Sequence, residues 1–287
     1  MKQRLEAFQR MLDRARAARG VALMGICNVT PDSFSDGGRY LAPEAARQRV
    51  DQLIAEGVDV VDIGGESTRP GALPVAAREQ IARVIDVVRY AAQRGACVSV
   101  DTANAEVAAA CLDAGASAVN DVSCMRDCAL ADVVGTAGAA LVLMHARGTP
   151  EQMHDFSRYP QGAYGDIVQD VCAEWESAAQ RAISHGVARG AMVMDPGLGF
   201  AKNARHSAEL LARLHEIVET VGVPVAVGAS RKSFLTLVDA AATPADRLGA
   251  SVAAALHAAR TGAAVLRIHD VRATRQALDF ARRMGEG

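Results

Sequence analysis

Net charge is almost absent from this chain: 31 Lys and Arg stand against 33 Asp and Glu, leaving −2 at pH 7. That balance excludes a global attraction to nucleic acid or an anionic membrane, so any anionic ligand must be met by charges gathered locally. Aromatic residues are scarce at 4%, although 50% of the 287 residues are hydrophobic. The core must therefore be built from Ala, Val, Leu and Ile, a composition suited to one large α/β domain rather than two small ones. No apolar run approaches the roughly 20 residues of a membrane span. The opening MKQRLEAFQRMLDRARAARG is amphipathic and basic with no uninterrupted apolar centre, and predicts a helical extension over residues 1–20. Cys27, Cys97, Cys111, Cys124, Cys128 and Cys172 contain no Cys-x-x-Cys pair. They read as free thiols of a reducing cytoplasm, and a thiolate metal site is not expected. Also missing is a Gly-x-Gly-x-x-Gly after the first apolar run, the signature of an open dinucleotide-binding sheet.

What the chain does have is repetition. Eight short apolar runs, over 21–28, 58–64, 97–101, 117–122, 139–145, 191–195, 224–229 and 264–268, break off at a polar residue. The stop residues are Asn28, Asp62, Asp101, Asn120, His145, Asp195, Ser230 and the pair Arg267/His269. Helix-patterned stretches lie near 43–56, 74–94, 104–114, 128–136, 164–186, 204–221, 244–261 and 271–284. Gly57, Gly95, Gly115, Gly186 and Gly262 stand just before the next strand, where a left-handed helix cap is needed. Continuous apolar runs are strands buried on both faces. Eight βα units predict a single (β/α)8 TIM barrel over residues 21–287, and a polar residue ending each strand then stands on the rim where such barrels do chemistry. The connections 29–42 and 65–73 are long for βα loops, as befits segments that close over a substrate.

The first long loop reads Asn28-Val-Thr-Pro-Asp-Ser-Phe-Ser-Asp-Gly-Gly and the second Asp62-Ile-Gly-Gly-Glu-Ser-Thr-Arg-Pro-Gly. With Asp195-Pro-Gly-Leu-Gly-Phe-Ala-Lys, Ser230-Arg-Lys-Ser-Phe and Arg267-Ile-His-Asp, these strings resemble the dihydropteroate synthase family over essentially the whole chain after residue 20. The resemblance implies a folate-biosynthesis transferase that joins 6-hydroxymethyl-7,8-dihydropterin diphosphate to 4-aminobenzoate, releasing diphosphate.

Several residues suit that chemistry. A pterin presents an amino group and a ring N–H side by side, a donor pair that a carboxylate accepts in bidentate fashion. Asp195 is the candidate for that contact, with Asp101 and Asn120 on the remaining ring edge, Lys232 donating to the ring carbonyl, and Asp62 similar to the family's additional pocket aspartate. For the diphosphate, Arg267 and His269 lie two apart on one strand, near Ser230 and Arg231, at the phosphate corner common in this barrel. Thr68 and Arg69 join them from the second loop. Asn28 offers a hard oxygen to Mg2+, which takes few protein ligands and fills its shell with water and phosphate oxygens. Loss of diphosphate from an electron-rich dihydropterin makes a cation-like transition state, for which Asp36 and Asp101 supply negative field. Phe34, Pro70, Lys232 and Ser233 are expected to form the aminobenzoate slot. His145, Arg147 and Lys202 lie on the correct face with no assigned role.

Two rival readings differ in class. A pterin-binding methyltransferase shares the Asp/Asn/Asp pocket but has no use for the diphosphate corner, and a catalytically silent pterin-binding paralogue should have lost residues from the long loops first. The small, apolar stretch Ala250-Ser-Val-Ala-Ala-Ala-Leu-His-Ala-Ala indicates a helix that is deeply buried or meets a partner, and the resemblance implies a homodimer on that side.

Overall fold

The apolar runs form eight parallel strands: β1 (Ala22–Asn28), β2 (Val60–Gly64), β3 (Cys97–Asp101), β4 (Ala118–Asp121), β5 (Ala140–Met144), β6 (Met192–Asp195), β7 (Ala226–Val227) and β8 (Val265–Ile268). The computed structural model describes residues 2–30, 38–67, 74–148 and 159–285. Strand order is β6-β5-β4-β3-β2-β1-β8-β7, every pairing parallel. A bridge between Met194 and Val225 joins the two ends, with the Met194 amide donating to the Pro224 carbonyl at 2.8 Å. The sheet is thus rolled into a (β/α)8 barrel. Around it run α1 (Lys2–Arg19), α2 (Gly38–Ala55), α3 (Ala77–Gln93), α4 (Ala105–Asp113), α5 (Cys128–Ala137), α6 (Ile167–Ser184), α7 (Ala204–Ala212), α8 (Leu214–Val221), α9 (Leu248–Arg260) and α10 (Val271–Arg283).

Several boundaries differ from the sequence pattern. The seventh strand is expected over 224–229 but forms a ladder only at Ala226–Val227, preceded by the single Val225 bridge; Pro224 has no N–H to give to a ladder and so delays its start. The helix expected over 204–221 breaks at Arg213, whose backbone leaves the helical region (φ −99°, ψ 22°). The Arg213 guanidinium there gathers Glu216 at 2.7 Å, Asp166 at 3.0 Å and Glu209 at 3.1 Å. The helix expected from 244 starts at Leu248, since Arg247 is spent on the carbonyls of Ala242 and Arg231. In the other direction, α2 begins at Gly38 and shortens the first long loop.

Helix α1 is seated across the strand-start end of the barrel. Phe8 and Ala15 are buried in one apolar cluster with Ala22, Met24, Val60, Ala118, Ala140, Val142, Val193, Ala226 and Val265. Several of these are the first residues of strands, and their small side chains leave the space that the Phe8 ring fills. The helix is tied down by Arg4, which donates to the carbonyls of Leu112 and Ala137 at 3.1 and 3.2 Å. Phe8→Ala should lower unfolding stability by about 3 kcal/mol, the cost of emptying an aromatic core site. A denaturant midpoint close to wild type would mean that α1 is not the plug of the barrel floor.

Candidate active site

Because side chains alternate along a strand, a residue two places beyond an interior apolar residue also points inward. Val60, Ala118, Val193 and Val265 belong to the interior cluster, and two places on stand Asp62, Asn120, Asp195 and Arg267. Asp101 joins them through its register with Gly64 and Asn120. The interior is apolar at the floor and polar at the strand ends. Asp62, Asn120, Asp195 and Asp101 are at most 5% exposed there.

Arg267 is the hub of this layer. Its Nε donates to Asp62 Oδ2 at 2.7 Å and its Nη2 to Asp101 Oδ2 at 2.5 Å, while the Asn120 amide donates to Asp62 Oδ2 at 3.2 Å. The other oxygen of each aspartate, Asp62 Oδ1 and Asp101 Oδ1, is buried without a hydrogen-bond partner among the described residues. Unpaired buried acceptors are costly, so their presence points to a donor that arrives with a ligand. Burial drives the Asp101 carboxyl upward, opposed by Arg267 and reinforced by Asp62 and Asp121. Arg267 stays a cation because its carboxylate neighbours outweigh its own burial.

Gly228, just past β7, marks the opposite side of the pocket. A Cβ built there would stand 3.6 Å from Lys232 Nζ, 3.7 Å from Arg267 Cβ and 3.8 Å from Asp195 Oδ2. Lys232 donates to the Leu198 carbonyl at 2.6 Å and lies 4.7 Å from the Phe200 ring centre. Burial pulls its ammonium down to about 8, with Asp195 resisting. Burial pushes the Asp195 carboxyl up, while Lys232 and the Gly197 amide, donating to Oδ1 at 2.7 Å, pull it back. Residue 231 takes the left-handed conformation (φ 59°), unusual for a side-chain-bearing residue. Arg231 accordingly turns to Asp270 at 2.9 Å while the next residue, Lys232, enters the pocket.

His269 lies just beyond β8, its ring Nδ1 3.1 Å from Ser230 Oγ. Burial and the neighbouring Arg267 and Arg231 lower its pKa to about 3, so it is a neutral hydrogen-bonding group. Ser233 is exposed at the start of the 3-10 turn Ser233–Leu237, which the sequence pattern does not reveal. Asn28 is half-buried at the end of β1. Its Oδ1 lies 3.7 Å from the point where Gly64 would carry a Cβ, and Asp101 Cβ lies 3.3 Å from the same point. Phe34, Asp36, Thr68, Arg69 and Pro70 lie outside the described residues. The structure therefore brings together Asp62, Asp101, Asn120, Asp195, Lys232 and Arg267, with His269 and Asn28 at the edge.

Two contributors escape a reading of single motifs. Phe200 flanks Lys232 because the loop after β6 turns through Gly197, where a Cβ would fall 2.0 Å from the His145 carbonyl oxygen. The alternating glycines of Asp195-Pro-Gly-Leu-Gly-Phe are the only sequence trace of that turn. Glu174, on α6, accepts from Arg147 Nε at 2.8 Å and lies 3.0 Å from His145 Nε2. Nothing in its local sequence separates it from an exposed helix glutamate.

Comparison with known proteins follows the same outline. A family model described as pterin binding enzyme matches residues 24–269. The dihydropteroate synthase of Mycobacterium leprae is 46% identical over 264 residues, spanning 90% of this chain and 91% of that one. The structure of Xanthomonas albilineans dihydropteroate synthase with 4-aminobenzoic acid is similar at a TM-score of 0.85 and 40% identity, covering 93% of this chain and 94% of that one. Yersinia pestis dihydropteroate synthase, solved as a sulfonamide drug complex, gives a TM-score of 0.84 at 36% identity over 93% of this chain and 95% of that one.

Proposed function

The chain belongs to the dihydropteroate synthases, pterin-binding transferases of folate biosynthesis, and from that premise we propose how its rim divides the condensation of 6-hydroxymethyl-7,8-dihydropterin diphosphate with 4-aminobenzoate. The observation that carries the assignment is the acceptor-rich barrel mouth. Three buried aspartates face two cations there, and two of the aspartates keep an oxygen with no partner among the described residues. Asp195 accepts the amino and ring N–H pair of the pterin. Asn120, Asp62 and Asp101 take the remaining edge, and Lys232 donates to the ring carbonyl across the space above Gly228.

The reaction breaks the bond between the exocyclic methylene carbon and a diphosphate oxygen, whose electron pair leaves with the diphosphate. The amine lone pair of aminobenzoate forms the new C–N bond, and the amine proton is then released. Positive charge grows at the methylene carbon, and a fixed negative field lowers that barrier. Asp101 provides it from the barrel mouth, and Asp36 is assigned the same task from the first long loop. Arg267 and neutral His269 receive the leaving diphosphate as a cation and a hydrogen-bond partner, with Thr68 and Arg69 assigned to its outer oxygens. Aminobenzoate needs orientation more than deprotonation, a task given to Phe34, Pro70, Lys232 and the exposed Ser233.

The residues at the end of β1 fit Mg2+. The Asn28 amide oxygen and Asp101 flank Gly64, and a hard oxygen with few competing ligands suits an ion held mainly by water and phosphate. When bound, Mg2+ supplies charge neutralisation of the leaving diphosphate.

A sulfonamide carries an aryl amine opposite an acidic group, as aminobenzoate does, and should compete with it. The apparent inhibition constant should rise linearly with aminobenzoate concentration, and variants at Phe34 or Pro70 should change drug and substrate unequally, by about 1–3 kcal/mol per steric group. Noncompetitive inhibition, or equal factors for both ligands, would contradict the shared slot. Mass analysis of the product gives the broader test: 7,8-dihydropteroate is expected, and a methylated acceptor would reinstate the methyltransferase reading.

Assembly follows from the outer face of α9. Leu248 is 41% exposed, and Val252 and Leu256 continue its stripe at helical spacing, half-buried; Leu237 and Val238, earlier in the chain, are exposed as well. A contiguous apolar stripe of this kind suits a self-complementary interface, so we assign a homodimer here. Only monomer in light scattering at micromolar concentration would contradict it. Among the described residues no helix is long and apolar enough to cross a membrane, and the six unpaired cysteines support a reducing cytoplasm.

A further inference from the structure

Behind the pterin pocket lies a buried charge that the condensation chemistry does not call on. Lys202 is fully buried. Its Nζ lies 2.8 Å from His145 Nδ1 and donates to the Phe200 carbonyl at 3.0 Å. The residue before it, Ala201, is held in the left-handed conformation (φ 49°), and its carbonyl accepts from the Tyr164 hydroxyl at 3.0 Å. Backbone strain of this kind persists only where surrounding contacts enforce it.

His145 connects this lysine to the pocket. Its backbone amide donates to the Asp195 carbonyl at 2.8 Å, and its ring Nε2 lies 3.0 Å from Glu174 Oε2. Glu174 is gripped by Arg147, which stacks 3.8 Å over the Tyr164 ring centre and donates to the Ala163 carbonyl at 2.7 Å. Donor and acceptor roles in this chain run one way. The Phe200 carbonyl can only accept, so Lys202 donates to it. Lys202 also donates to His145 Nδ1, which leaves the imidazole neutral with its Nε2–H given to the Glu174 carboxylate. Burial and Lys202 hold His145 down at about 4, and Arg147 with His145 holds Glu174 at about 2, in keeping with that arrangement. Two of the lysine's N–H groups are thus committed. The third exists only in the ammonium form.

We propose that Lys202 is a positioning residue for the pterin pocket: fastened between His145 and Phe200, its ammonium supplies a buried positive charge that keeps the Asp195 carboxylate ionised to receive the pterin donor pair. The proposal rests on Asp195 being that acceptor. Charged groups acting on Asp195 are Lys232, Arg267 and Lys202; those acting on Lys202 are Asp195, Lys232, Cys124 and Arg147. Burial lowers Lys202 to about 7, with Asp195 as the largest charge opposing the fall. Its support for Asp195 is therefore present below neutral pH and fades as pH rises above it. Pterin binding is lost at low pH as Asp195 protonates, and removing the Lys202 charge moves that acid limb to higher pH.

The experiment is calorimetric titration of a phosphate-free pterin across pH 5.5–9 into wild type, Lys202→Met and Asp195→Asn. Lys202→Met should move the acid limb of binding upward by about one pH unit, a loss of at most about tenfold confined to that limb, and should converge on wild type above pH 8. A loss that is equal at every pH, or no loss, overturns the proposal. Asp195→Asn separates the two readings: wild-type binding by that variant sinks the Asp195 assignment itself, whereas its loss alongside an unmoved Lys202→Met profile sinks the lysine's role alone. If Lys202→Met does not fold, Lys202→Gln, which removes the charge but keeps a side-chain amide to donate to the Phe200 carbonyl, decides the matter. A shift of the acid limb in the same direction is expected, and an acid limb at the wild-type position overturns the proposal.

Discussion

Asp195→Ala should abolish measurable pterin binding while the barrel stays folded. Asp195 is 4% exposed, and its Oδ2 lies beside the open space above Gly228 that Lys232 and Arg267 also face. A carboxylate there offers two acceptors to two adjacent N–H donors, and no other group in the layer is a second copy of it. Asp62 and Asp101 each give one oxygen to Arg267. Removing a charge-assisted, buried contact of this kind costs on the order of 2–5 kcal/mol, or roughly 30-fold to several thousand-fold in affinity. Calorimetry with a pterin analogue measures it. Affinity within threefold of wild type would mean that the ring sits elsewhere.

Arg267→Ala is expected to act on stability and on substrate together. The guanidinium is the partner of Asp62 and Asp101 in a layer where both carboxylates are buried. Removing one member of a buried ion pair leaves uncompensated charge and costs about 3–5 kcal/mol. The sign of its pH dependence follows from Asp101, whose pKa burial already raises with Arg267 present. In the variant the carboxyl rises further and is accommodated as the neutral acid, so the folded state binds a proton that the unfolded chain has released. The deficit should be small at acid pH and grow as pH rises through the elevated folded value. Denaturant unfolding at a series of pH values tests this, and a deficit independent of pH would contradict it. Binding should separate as well: pterin diphosphate weakened strongly, a phosphate-free pterin much less. Equal losses would remove Arg267 from the diphosphate corner.

The barrel was legible because two independent signals agree along most of the chain. Apolar runs end at polar residues, and Gly57, Gly95, Gly115, Gly186 and Gly262 all adopt the positive φ that their positions before strands require. Where the pattern misled, a local interaction competes with it: Pro224 shortens β7, and the carboxylates around Arg213 divide one helix into α7 and α8. The inward set Asp62, Asn120, Asp195 and Arg267 was legible for an equally simple reason, since each stands two residues after an apolar residue of the barrel interior. The pairing inside that set was not. Arg267 reads from sequence as a phosphate ligand, yet it spends its guanidinium on two carboxylates from β2 and β3, a relation that only closure of the sheet creates. The Lys202, His145 and Glu174 chain depends likewise on α6 lying against the loop after β6. Phe34, Asp36, Thr68, Arg69 and Pro70 lie outside the described residues, so their roles rest on motif and chemistry.

The claim that this barrel mouth joins a pterin to an aminobenzoate is tested most directly by following diphosphate release from the purified protein with Mg2+ present. Release should require pterin diphosphate and 4-aminobenzoate together, and should vanish in Asp195→Ala. Sustained release from pterin diphosphate alone at the same rate, or none with both substrates present, would contradict it.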